Sequence, residues 1–231
     1  MPGYLTKHES TEVAGVAALT MRSLRDRQQF SDPLGAADRQ GISSSSWPLF
    51  GLLWPSGAML AAQLAARPVR DGERLLEVGC GLALASLVAH RRGIDVTASD
   101  CHPLAAGFLR ENLRLNGLPP MKYRHGHWGG IAPDADPATT VLQGRFDLIF
   151  GSDLLYDRDA GPALAAFVDR HAAAAAEVWI VDPDRGNRPA FSRLMHSLGY
   201  GLHQRRLARP ASAADLAYKG RLLIYRRALA A

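Results

Sequence analysis

Two short segments carry residues whose types and spacing can do chemistry. The first is Glu77-Val78-Gly79-Cys80-Gly81-Leu82-Ala83, followed by an acid at Asp100. Two glycines one residue apart let a backbone come close to a ligand. An acid about twenty residues on can accept hydrogen bonds from ribose hydroxyls. Dinucleotide enzymes share this pattern, but their third small position is taken here by Leu84, too bulky for close helix–strand packing. A carboxylate at Glu77 would repel a pyrophosphate, and it suits a ligand that carries an ammonium and a sulfonium. The electrostatics therefore favour S-adenosylmethionine. A simple tight turn with an incidental glutamate is the plain alternative, and Asp100 weighs against it.

The second segment is Ser152-Asp153-Leu154-Leu155-Tyr156. Asp153 can orient an amine through its hydrogens and favour proton loss into water. Tyr156, three residues on, can return to the same side in a turn and offer a hydroxyl or an aromatic face to a methylated ammonium. The plain alternative makes Asp153 a helix cap and Tyr156 the filling of a core gap. Leu154-Leu155 stands where enzymes acting on amide or exocyclic nitrogens commonly carry two prolines, which argues against DNA adenine or glutamine as substrate.

The elements that must position these residues alternate. Arg74–Val78 reads as a short buried strand, Leu82–Arg92 as a helix and Asp95–Ser99 as the next strand. A helix from Pro103 to about Leu115 is closed by Asn116-Gly117. Met121–His125 and Arg145–Gly151 read as strands three and four. Asp159–His171 with Ala172–Ala176 reads as a helix before the strand Val178–Val181, and Arg188–Ser197 as another helix. Tyr200–Arg206 and Arg221–Tyr225 close the chain as a strand pair. This alternation predicts an α/β, Rossmann-like doubly wound fold around a mostly parallel seven-stranded sheet with an antiparallel edge. Ligands bind such sheets at the ends of the strands. Residues 1–46 read as an N-terminal extension, a helix followed by a loop, and 47–231 as the catalytic domain, with Ser56–Ala66 an early helix in it.

At 231 residues with 47% hydrophobic and 21% charged residues, the chain can bury its own core. Two cysteines exclude a disulfide framework, and no apolar run approaches a membrane span. His125-Gly126-His127 has no third ligand at recognisable spacing, so no metal site is expected. The N-terminus lacks a basic region leading into an apolar core, and a cytoplasmic protein is expected. The formal charge is +5, with Arg205, Arg206, Arg209, Arg226 and Arg227 gathered near the end of the chain. These read as a solvated face or a partner surface, without a nucleic-acid motif.

With these residues in place, the chain resembles the class I, seven-strand methyltransferases, and within them the family 16 lysine methyltransferases. The likeness runs from about Trp47 to the end. It is carried by Leu53-Trp54-Pro55-Ser56-Gly57, Leu76-Glu77-Val78-Gly79-Cys80-Gly81, Ala98-Ser99-Asp100, Glu111-Asn112-Leu113 with Asn116-Gly117, Trp128, and Arg145-Phe146-Asp147-Leu148-Ile149 leading into Gly151-Ser152-Asp153-Leu154-Leu155-Tyr156. It implies that Gly79 and Gly81 admit S-adenosylmethionine, that Glu77 faces its methionine end and that Asp100 holds the ribose. Cys101 would lie beside the adenine, Trp128 would pack on it, Trp54 would close over the methionine part, and Ser152 would complete the binding set. Asp153 and Tyr156 would be catalytic. Core packing is the plain alternative for each tryptophan. The family pattern has a third glycine where Ala83 stands and an acid where His127 stands. Val181-Asp182-Pro183-Asp184-Arg185 is similar to the segment of the branch acting on the electron-transfer flavoprotein β-subunit. Asp182 and Arg185 would line a substrate channel there or form the ion pair of a plain turn. The implied activity is methyl transfer to nitrogen, on a protein lysine or alternatively a small molecule. A cofactor-binding module without catalysis is a further alternative.

Overall fold

The computed structural model describes residues 3–130, 140–211 and 217–227. The first element is a hairpin, β1 (Thr6–Val13) and β2 (Val16–Leu24), joined through Ala14-Gly15. The expected N-terminal helix is therefore a β-hairpin. Its signal is the alternation of Leu19, Met21 and Ser23, all buried, with exposed or half-buried residues between them; that period of two belongs to a strand. Short 3₁₀ turns at Asp38–Gln40 and Trp47–Gly51 lead to α1 (Pro55–Ala66).

The alternating elements then follow in order: β3 (Arg74–Val78), α2 (Leu84–Arg91), β4 (Asp95–Asp100), α3 (Ala105–Leu115) and β5 (Lys122–His125). After them come β6 (Phe146–Ser152), α4 (Gly161–His171), β7 (Ala172–Asp182), α5 (Arg188–Ser197), β8 (Tyr200–Arg209) and β9 (Tyr218–Arg227). Ala172–Ala176 is strand, not the helix expected of an alanine run. The chain leaves α4 at Ala172 with ψ 133, and Ala172 pairs with Phe146 across an irregularity in the ladder. Sheet pairing overrides the alanine propensity.

The seven strands lie in the order β5-β4-β3-β6-β7-β9-β8. The first five are parallel, and β9 runs antiparallel to β7 and β8. Both sheet faces are covered. Leu75, Val96, Ala98, Leu148 and Phe150 share one core with α1, α2, α3 and the hairpin. Leu76, Val78, Ile149, Val178 and Ile180 share the other with α4 and α5. The order reverses at β3 and β6, so the loops after these two strands face the crevice where such sheets take ligands. Among the described residues no helix is long and apolar enough to cross a membrane.

The hairpin is tied on by amide side chains. On α3, Asn112 Oδ1 accepts the Arg22 N–H at 2.7 Å, and Asn116 Oδ1 accepts the Thr20 N–H at 2.9 Å. Asn116 Nδ2 donates back to the Thr20 carbonyl at 2.8 Å. Residues four apart on a helix share a face and residues two apart on a strand share an edge, so the two asparagines act as a substitute strand for β2. The C-terminal arginines are also largely engaged: Arg221 with Asp184, Arg226 with Glu177 and Arg227 with Asp169.

Candidate functional site

The turn between β3 and α2 brings bare backbone to the crevice. Gly79 and Gly81 have φ of 58 and 51, values that favour glycine. A Cβ at Gly79 would lie 2.7 Å from Leu154 Cδ2, and one at Gly81 would lie 2.8 Å from the Phe50 carbonyl oxygen. Ala83 follows with φ 60, which explains why a glycine suits this position.

Two buried carboxylates hold the turn from below. Asp100 Oδ2 accepts the Gly81 N–H and Oδ1 accepts the His102 N–H, each at 2.8 Å. Each oxygen keeps a further lone pair. Burial pushes the Asp100 carboxyl up, against the backbone N–H groups that hold it down. Glu77 accepts the Ser86 N–H at 2.9 Å in the first turn of α2. Burial pushes its carboxyl up to about 7, opposed by Ser86 and assisted by the charge of Asp100. Cys101 is half-buried, and burial with the Asp100 charge raises its thiol to about 12. It stays protonated and is no nucleophile at neutral pH.

Trp128 stands against this turn. Its Cζ2 would be 3.4 Å from a Cβ on Gly79, and the ring packs partly against the second core. The neighbouring His127 Nε2 is hydrogen-bonded to the Gln40 carbonyl at 3.0 Å, so the residue in place of the family acid ties this loop to the N-terminal segment.

A second cluster forms at the end of β6. Asp153 takes φ 56, its N–H donates to the Val181 carbonyl at 3.0 Å, and a 3₁₀ turn over Leu154–Tyr156 follows. Asp153 Oδ1 accepts from Arg185 Nη2 at 2.9 Å. Ser56 lies beside the same carboxylate, its hydroxyl engaged with the Tyr218 hydroxyl at 3.0 Å. Oδ2 is buried and has no hydrogen-bond partner among the described residues. Burial raises the Asp153 carboxyl, and Ser56 and Arg185 hold it down. Arg185 thus pairs with Asp153 rather than with its near neighbour Asp182. Asp182 is buried, its Oδ2 accepts the Asp184 N–H at 2.9 Å, and its Oδ1 takes no hydrogen bond among the described residues.

Trp54 sits just before α1, its Nε1 donating to the Leu49 carbonyl at 2.9 Å. Its ring faces the Arg185 guanidinium at 5.8 Å. Ser152 is half-buried, its Oγ 3.6 Å from where a Cβ on Gly57 would lie. Tyr156 is 53% exposed, so it does not fill a core gap. Burial first, then Cys101, Asp100 and Asp157, raise its phenol.

The sequence-derived residues therefore fall into two adjoining groups. Glu77, Gly79, Gly81, Asp100 and Trp128 surround the turn; Trp54, Ser152 and Asp153 stand at the end of β6. Leu154 joins them, with Cδ2 toward Gly79 and Cδ1 toward Gly151. Ser56 belongs to the Trp54-Pro55-Ser56-Gly57 motif without a role assigned to it there, and Tyr218, 162 positions on, carried no signal, since no local pattern links a helix serine to a tyrosine on β9.

A family model described as lysine methyltransferase matches residues 48–194 of this chain. The chain is similar to the electron transfer flavoprotein beta subunit lysine methyltransferase of Rattus norvegicus, 30% identical over 211 residues, covering 88% of this chain and 74% of that protein. The Mus musculus protein of the same name is 29% identical with the same coverage, 88% and 74%. Among solved structures, magnesium protoporphyrin IX methyltransferase from Synechocystis PCC 6803 with bound SAM has a TM-score of 0.57 at 15% identity, covering 75% of this chain and 78% of that one. That last likeness is one of fold.

Proposed function

Because the chain belongs to the lysine methyltransferase family, we propose that Asp153 receives the ε-amine of a protein lysine beside S-adenosylmethionine held at the β3–α2 turn. The chain is an S-adenosylmethionine-dependent methyltransferase, and the turn fits that cofactor. Side chains at Gly79 and Gly81 would collide with Leu154 and the Phe50 backbone, so the turn is kept bare. Glu77 is a buried carboxyl with no cationic side chain acting on it among the described residues, and a positively charged ligand would hold it ionised. In the proposed arrangement Asp100 takes the ribose hydroxyls on its free lone pairs, Cys101 and Trp128 border the adenine, and Trp54 and Ser152 border the methionine end.

S-adenosylmethionine supplies a methyl group on a sulfonium. The protein must present a neutral amine in line with it, although a free lysine has a pKa of about 10.4. A lone buried carboxylate would hold the substrate as an ammonium and stall transfer. Arg185 answers this by occupying Asp153 Oδ1 and countering its charge. Oδ2 is left to accept one N–H of the amine and aim its lone pair. Tyr156, exposed at the rim, offers its ring to the methylated product.

The buried Oδ2 of Asp153, without a hydrogen-bond partner among the described residues, is the observation that carries this reading. The acceptor named by the relatives, the electron transfer flavoprotein β-subunit, is the first to try. A cytoplasmic setting accords with two free thiols, Cys80 and Cys101. The test is transfer of labelled methyl to that subunit and to total lysate protein. Asp153→Asn should lower the rate by about a hundredfold or more while S-adenosylhomocysteine still binds. Undiminished transfer by Asp153→Asn would remove Asp153 from the reaction.

A further inference from the structure

Outside the crevice, a groove of about 380 Å³ runs between the hairpin and the segment that enters α1. Leu52, Leu53 and Pro55 form one side of it; Lys7, Arg25 and Arg27 stand on the other, with Leu24 and Ser23 beneath. Trp54 lines the groove as well, and its ring also faces Arg185, the partner of Asp153. A chain lying in the groove would therefore arrive at the proposed methyl-transfer site over one indole.

The charges along this groove are unbalanced. Its single carboxylate, Glu9, is occupied by the Ser23 hydroxyl at 2.8 Å and by Lys7 at 3.1 Å. Arg25 has an exposed contact of 3.4 Å with Asp26, a pair worth little in water. Arg27 makes no ion pair among the described residues and is exposed. By contrast, Arg221, Arg226 and Arg227 on β9 are engaged with Asp184, Glu177 and Asp169. Uncompensated basic charge thus stands on the hairpin side of this groove, at Arg25 and Arg27.

We propose that this groove docks the protein substrate, binding an extended acidic segment that flanks the target lysine. Carboxylates of that segment would meet Arg25 and Arg27, its apolar side chains would lie on Leu52 and Leu53, and the lysine would pass Trp54 to Asp153. The inference rests on the methyl-transfer reading for what the groove delivers, but binding can be read without transfer. The hairpin is held to α3 by Asn112 and Asn116, and Arg25, just past β2, is tied to it by its N–H donating to the Leu5 carbonyl at 3.0 Å.

The experiment uses fluorescent peptides with one central lysine flanked on both sides by glutamates, or by glutamines as the neutral control. Anisotropy is measured with the full chain and S-adenosylhomocysteine at low and physiological salt. The glutamate peptide should bind at least tenfold more tightly than the glutamine peptide and weaken as salt rises. Arg25→Glu with Arg27→Glu should abolish that preference. Arg205→Glu with Arg206→Glu, which changes the net charge equally on the exposed strand β8, should leave it intact. Equal binding of the two peptides, or equal losses in the two double variants, would overturn the proposal, since attraction would then follow net charge alone. Asp153→Asn separates the readings: it should retain docking, and undiminished transfer there would remove the catalytic reading while leaving the groove standing.

Discussion

Replacing Glu77 by glutamine changes one buried proton equilibrium and little else, because the amide oxygen can still accept the Ser86 N–H. Burial lifts the folded-state carboxyl from 4.5 to about 7. That difference corresponds to about 3 kcal/mol at 1.36 kcal/mol per unit. Below pH 4.5 both the folded and unfolded chains hold the proton, and Glu77 contributes no pH dependence. As pH rises toward 7, the unfolded chain releases its proton while the folded chain keeps it, so stability falls. Above that point the full penalty is present. Glutamine carries no such proton, so Glu77→Gln should become the more stable protein as pH rises through this window, by up to about 3 kcal/mol. Urea unfolding of both proteins across the window measures the gap, and the difference cancels groups that do not act on Glu77, such as Asp153 and His102. The same carboxylate should favour a cation. Wild-type binding of S-adenosylmethionine should tighten as pH rises through about 7 with proton release, and Glu77→Gln should bind more weakly without that dependence. Parallel unfolding of the two proteins across the window would refute the raised carboxyl. Equal affinity for the cofactor would refute its role toward a positive ligand.

Two further outcomes follow from packing. Gly81→Ala places a Cβ 2.8 Å from the Phe50 carbonyl at a φ of 51; it should cost roughly 1–3 kcal/mol, and calorimetry should show S-adenosylhomocysteine binding lost or sharply weakened. Asn112→Ala removes the acceptor of the Arg22 N–H and should cost about 1–3 kcal/mol. Hydrogen exchange should speed along β2 first, while the central strands keep their protection.

What the sequence by itself determined lies in local signals. The order of strands and helices from Arg74 onward follows from apolar runs and breakers that act over a few residues. The Gly79–Gly81 turn and the acids at Glu77 and Asp100 are read the same way, since positive φ and close backbone approach demand glycine wherever they occur. The end of β6 was legible because Asp153 directly follows an apolar strand. Tertiary structure decided the rest. Ala172–Ala176 has helical propensity, yet it is a strand because Phe146 and its neighbours supply a pairing edge. The hairpin exists where a helix was expected because Asn112 and Asn116, some ninety positions away, satisfy the edge of β2. Whether Arg185 pairs with Asp182 or with Asp153 cannot be read from spacing, because both acids end neighbouring strands. Asp153 was also given its Ser56 and Tyr218 surroundings by two separate elements, α1 and β9. Local backbone preference is written in adjacent residues; the partner of a buried charge is chosen by whichever distant group the packed core brings within reach.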